Sequence, residues 1–104
     1  MDIREHERWW AERGAGELRD LLFREWDPIG LKDIAEGQED EYEHYAGQLV
    51  RRLRAGASAE ELAGVLEGFR ADMGVEAAPE DSLRAATRVR GWYAGSLADW
   101  SSGP

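Results

Sequence analysis

The sequence contains no cysteine, which excludes disulfides, thiolate metal sites and cysteine nucleophiles together and favours a reducing compartment. It also lacks an apolar run long enough to cross a bilayer. The chain is charged from its second residue, Met1-Asp2-Ile3-Arg4-Glu5-His6-Glu7, with no apolar leader segment, so a cytoplasmic protein without a membrane partner is expected. Positive charge is scarce as well. Thirteen bases against 22 acids leave a formal net charge of -9, which opposes the phosphate backbones that basic faces attract, and nucleic acid is not an expected partner. His6 and His44 are the only histidines. Neither has a metal-ligand spacing such as His-Glu-x-x-His, so both are expected to be solvated and no metal or cofactor is expected.

What is present is a globular composition, 42% hydrophobic and 10% aromatic over 104 residues, enough for one domain with one modest core. Apolar residues recur at helical spacing in four segments, and no strand pattern competes. Leu18, Leu21, Leu22 and Trp26 share a face in the first segment. Gly14 and Gly16 weaken its middle, each at a cost of roughly 1 kcal/mol against alanine in a helix interior, so this helix is open to a break near Gly14. Pro28-Ile29-Gly30 predicts a turn inside a loop over 27–38. A second helix from Glu39 or Asp40 presents Tyr42, Tyr45, Ala46, Leu49, Val50 and Leu53 and stops at Gly56. Ser58-Ala59-Glu60-Glu61 reads as a capping box for a third helix with the stripe Leu62, Val65, Leu66, Phe69 and Met73, and Gly74-Val75 reads as a Schellman ending. Pro79 with Glu80 and Asp81 suits the first turn of a fourth helix, whose stripe is Ala86, Val89, Tyr93, Leu97 and Trp100. The expected fold is all-α, a small four-helix bundle or irregular helical cluster forming one domain over residues 1–100, with a frayed tail over 101–104.

The negative charge is uneven. Residues 1–47 hold 14 acids against 6 bases, whereas residues 48–104 hold 8 against 7. Between Asp27 and His44, Asp27, Asp33, Glu36, Glu39, Asp40, Glu41 and Glu43 face only Lys32, a concentration able to create a local field. Part of it has a folding explanation: acids at the start of the second helix and Arg51, Arg52 and Arg54 at its end complement a helix dipole. Asp27, Asp33 and Glu36 precede that helix, and their surplus points to binding of a basic partner. Calcium does not fit the same segment, because Ile29 and Leu31 occupy positions where an EF-hand needs oxygen ligands. Asp27, Asp40 and Glu41 could supply a carboxylate pair for acid-base chemistry, but nothing in their spacing separates them from solvated carboxylates, and no catalytic residue is assigned.

Five tryptophans serve either a small core or an interface. Trp26 and Trp100 fall on core stripes. Trp9 and Trp10 point about 100 degrees apart on a helix, which places one of them near the surface. Trp92 lines up with Arg84 and Arg88 at steps of four, where stacking of Arg88 on Trp92 is the expectation.

Trp26-Asp27-Pro28-Ile29-Gly30, followed by Asp40-Glu41-Tyr42 and by the Gly-x-Ser-x-Glu-Glu helix start at Gly56, resembles a group of small uncharacterised bacterial proteins that pair the same two elements. The resemblance spans about Leu18 to Gly74. It implies a compact helical protein, and similar small acidic proteins occur as immunity partners of bacterial toxins. The resulting expectation is a non-enzymatic binding domain that presents its acidic patch to a basic protein such as a toxin. The alternative is a regulatory or structural homodimer associating through exposed tryptophans.

Overall fold

The computed structural model describes residues 2–26 and 39–102, except the side chains of 39–43. Among the described residues all regular structure is helical, in four rods. The first rod comprises α1 (Ile3–Trp9), one π-helical turn (Trp10–Gly14) and α2 (Ala15–Glu25); the others are α3 (Glu39–Arg54), α4 (Ala59–Asp72) and α5 (Pro79–Ser102). Asp2 starts α1 by accepting the Glu5 amide at 2.8 Å, which satisfies one of the free donors of the first turn.

The glycines do not break the first rod. Trp9, Trp10, Gly14 and Ala15 all keep right-handed helical dihedrals, and the Ala15 amide donates to the Trp10 carbonyl five residues earlier. Backbone bonding therefore continues with one residue added to the turn. Trp9 accounts for Gly14: a Cβ at Gly14 would lie 2.8 Å from Cη2 and Cζ2 of the Trp9 indole. The missing side chain at Gly14 gives the ring its seat. Gly16 has open space around it.

Local punctuation follows the expected chemistry. Ser58 and Glu61 exchange both capping-box hydrogen bonds at the start of α4. At its end, Val75 N–H reaches the Arg70 carbonyl and Gly74 N–H the Ala71 carbonyl, with Gly74 at φ +73°, which is the Schellman pattern. The same pair of bonds recurs after α3, from Ala57 to Arg52 and from Gly56 to Leu53, with Gly56 at φ +87°. Both left-handed positions are occupied by the residue that adopts them without steric cost.

One core joins the rods. Leu18, Leu21 and Leu22 of α2, Leu49 and Leu53 of α3, Leu62, Leu66 and Phe69 of α4, and Ala85, Ala86 and Val89 of α5 lie in it, with Trp26 and Tyr45. Tyr45 stacks on Phe69 at 4.2 Å between centroids, and Trp26 meets the same ring edge-on at 6.3 Å. The α4–α5 pairing is the most extensive, and α5 enters it with the small side chains Ser82, Ala85, Ala86 and Val89.

The buried stripe of α5 differs from the expected one. Ser82, Ala85, Ala86, Val89 and Ser96 are buried, whereas Tyr93, Leu97 and Trp100 are only partly covered. Length is the reason. At about 1.5 Å per residue, the 24 residues of α5 outrun the 14 of α4 by roughly 15 Å. The overhang receives α1, the π turn and the start of α2. Helix α5 also continues through Ser102, two residues into the segment expected to fray, and 103–104 lie outside the described residues. Among the described residues no helix is long and apolar enough to cross a membrane.

Candidate functional site

Two polar clusters interrupt the apolar packing, and both are built on α5. At its C-terminal half, the Trp9 indole N–H donates to Ser96 Oγ at 2.9 Å, and Ser96 donates to Glu17 Oε1 at 2.7 Å. Trp92 Nε1 donates to the same oxygen at 2.9 Å. Arg13 Nε holds Glu17 Oε2 at 2.8 Å, and Arg13 Nη2 reaches Asp99 at 2.7 Å. Burial alone would raise the Glu17 pKa, but hydrogen bonds from Arg13, Ser96 and Trp92 outweigh it and leave the carboxyl below its ordinary value. The two carboxylates in turn raise the Arg13 pKa. An open groove of about 680 Å³ adjoins this cluster, with Arg13, Glu17, Asp20 and Asp99 on its walls.

At the other end of α5, Glu67 of α4 caps the helix start by accepting the Ala78 amide at 2.9 Å. It also accepts Ser82 Oγ at 2.8 Å, while Trp26 Nε1 donates to Ser82 at a long 3.4 Å. Buried Arg70 lies 3.5 Å from Glu67 and donates to the Glu76 carbonyl at 2.7 Å. A buried guanidinium is costly unless paired, and this one is held by a carboxylate and a carbonyl.

Neither cluster contains an activated nucleophile. Each serine hydroxyl accepts from an indole and gives its proton to a carboxylate, with no imidazole positioned as base. Among the described residues no group of three His, Asp or Glu side chains could hold a metal. The geometry is that of polar pins between helices.

Asp27, Asp33 and Glu36 lie outside the described residues. Glu39, Asp40, Glu41 and Glu43 belong to the first turns of α3, with side chains outside the described set, and the Pro28-Ile29-Gly30 turn is likewise outside it. At the opposite end of α3, Arg51, Arg52 and Arg54 are exposed, so the helix carries acids first and bases last along its dipole.

Two side-chain expectations are corrected. His6 is buried: its Nε2 is 2.9 Å from the Tyr93 hydroxyl, and its ring packs 5.2 Å from that of Trp9. It lies one turn before Trp9 on the face that α5 covers, and that proximity across the fold removes it from water. His44 is exposed and bonds Gln48. Trp92, expected under Arg88, instead directs its N–H to Glu17 and packs 5.6 Å from Trp9, because the overhang of α5 is covered by the first rod. Arg84 pairs with Asp81 at 2.6 Å.

Glu17, Glu67, Arg70, Ser82 and Ser96 were not among the residues expected to matter. A signal exists for the serines: Ser82 and Ser96 occupy the helical stripe of Ala85, Ala86 and Val89, and a polar residue on a buried stripe requires a partner. Compared with protein-family models, curated proteins and solved structures, the chain matches none.

Proposed function

We propose that this chain is a non-enzymatic protein-binding domain that docks its acidic segment on a basic partner protein, in the manner of a cytoplasmic immunity protein or antitoxin that occludes a toxin. The observation that carries the reading is the charge of 27–43, where Asp27, Asp33, Glu36, Glu39, Asp40, Glu41 and Glu43 face Lys32 alone. Clustered carboxylates attract a basic surface by the field that draws nucleic acid to it, and the steering raises the association rate. The packing of α3 supports such a use. Its buried face of Tyr45, Ala46, Leu49, Val50 and Leu53 anchors the helix in the core, and the same helix begins with Glu39, Asp40, Glu41 and Glu43 in its sequence.

The competing homodimer reading requires exposed tryptophans. Trp9 and Trp26 are buried and Trp10, Trp92 and Trp100 are partly buried, which leaves little indole surface for a partner.

Reversal of Glu36, Glu39 and Glu43 to lysine tests the proposal. With a partner isolated by pull-down, stopped-flow association should slow by on the order of tenfold or more, while urea melts shift little, because exposed charges steer encounter far more than they stabilise folds. Added salt should slow the unmodified pair by screening. An unchanged association rate together with a large loss of stability would assign these acids to the fold and sink the proposal.

A further inference from the structure

Helix α1 buries only two of its seven residues, His6 and Trp9. Ile3, Arg4, Glu5, Glu7 and Arg8 are exposed. Attachment of α1 to the body therefore runs through a single strip one turn long. Trp9 is inserted completely, with no exposed surface, and its N–H ends on Ser96. His6 closes the strip over Tyr93, by the Nε2 to hydroxyl contact of 2.9 Å and an edge-on ring contact at 5.9 Å. On the other side of this strip, the π turn over Trp10–Gly14 joins α1 to α2, and π turns are among the places where helices kink.

We propose that α1 is an acid-released latch: neutral His6 holds it on α5 through Tyr93, and uptake of a proton by the His6 ring undocks α1 about the π turn while α2 to α5 remain folded.

The groups facing the ring set the sign. Removal from water disfavours the imidazolium, and Arg54 at the end of α3 repels it; Glu7, on α1 itself, acts in the opposite direction and is outweighed, so the His6 pKa lies below its ordinary 6.5. Tyr93 from α5 stays neutral, since its burial raises its pKa against the pull of Arg54, and it offers no negative charge to compensate. A group whose folded pKa is depressed contributes stability above its unfolded pKa and loses it as pH falls through the folded value. The contribution of His6 to the docking of α1 is thus present at neutral pH and is lost on acidification. Once α1 leaves, its proton-binding group regains full hydration, so release and protonation reinforce each other.

The test follows amide and indole hydrogen exchange of the full chain, corrected for intrinsic rates, between about pH 7.5 and about pH 5, where an ordinary histidine titrates. The C2–H resonances of His6 and His44 are recorded in the same samples. Protection of the His6 to Trp10 amides and of the Trp9 indole should fall, with α4 protection retained and a midpoint that follows the His6 resonance. Unchanged α1 protection while His6 titrates would overturn the proposal, as would parallel loss of α4 protection. His6→Gln, which keeps hydrogen-bonding capacity without a charge, should abolish the pH dependence. The same pH-dependent loss in that variant would also refute the latch. Should the variant leave α1 undocked at every pH, agreement or disagreement between the His6 titration and α1 release in the unmodified chain decides the question.

Discussion

Ser82 and Ser96 stand fourteen residues apart on α5, close to four full turns, and each accepts a tryptophan N–H while donating its own proton to a glutamate of another helix. The N-terminal rod and α4 are thus pinned to one face of α5 by the same three residue types. The two pins differ in tightness. Trp9 approaches Ser96 at 2.9 Å, whereas Trp26 is 3.4 Å from Ser82.

That difference ranks two substitutions. Ser96→Ala strands the fully buried Trp9 N–H and removes one donor from Glu17, for a loss of about 1 to 3 kcal/mol. Ser82→Ala removes a good bond to Glu67 but only a weak one from Trp26, and should cost less. Urea melts of both variants check the order, and equal losses would show that the indole bonds contribute little.

The two glycines of the first rod should respond to alanine with opposite signs. Gly16→Ala meets open space and should stabilise by about 0.5 to 1 kcal/mol through helix propensity. Gly14→Ala drives a methyl group into the Trp9 ring and should destabilise by about 1 to 3 kcal/mol, as overpacking does. Thermal melts of the pair, with near-ultraviolet circular dichroism to report the tryptophan environment, distinguish the outcomes.

Leu66 has no exposed surface and lies in the shared core, so Leu66→Ala should cost about 2 to 5 kcal/mol. A nearly neutral result in a denaturant melt would contradict the packing of α4 on its neighbours.

Glu17 supplies a pH dependence of known sign. Its folded pKa is lowered from 4.5, so its stabilising contribution is present above that value and is lost as pH falls through the folded pKa. Glu17→Gln should therefore be less stable than the unmodified protein at neutral pH, and the gap should narrow below about pH 4.5. The effect is moderated by solvent, because the side chain is 35% exposed. A gap independent of pH would mean that hydrogen-bond geometry rather than charge accounts for Glu17.

Much of the architecture was legible in the residues because its causes are local. The Ser58–Glu61 box acts over three positions, the endings at Gly56 and Gly74 need only a residue tolerant of positive φ, and the stripes of α3 and α4 bury the leucines that their spacing aligned. The excess of acid over 27–43 is also a property of sequence alone. The continuity of the first rod was not legible, because a glycine pair weakens a helix unless something requires one of the gaps, and the Trp9 ring that requires Gly14 reveals itself only when its position is known.

Tertiary structure alone decided what covers the overhanging half of α5. His6 meets Tyr93 and Trp9 meets Ser96 across 87 positions, and Glu17 meets Trp92 across 75. No periodicity encodes which rod crosses that surface; the choice follows from the unequal lengths of α4 and α5 and from the depth at which Trp9 inserts. Helix identity, charge and the caps of α1, α3 and α4 are therefore determined by sequence, since their interactions span little more than a turn, whereas the cap of α5 comes from Glu67 of the neighbouring helix. Burial of His6 and the pairing of each serine with its indole and carboxylate belong to the packed molecule, where distant groups leave water together and must satisfy one another.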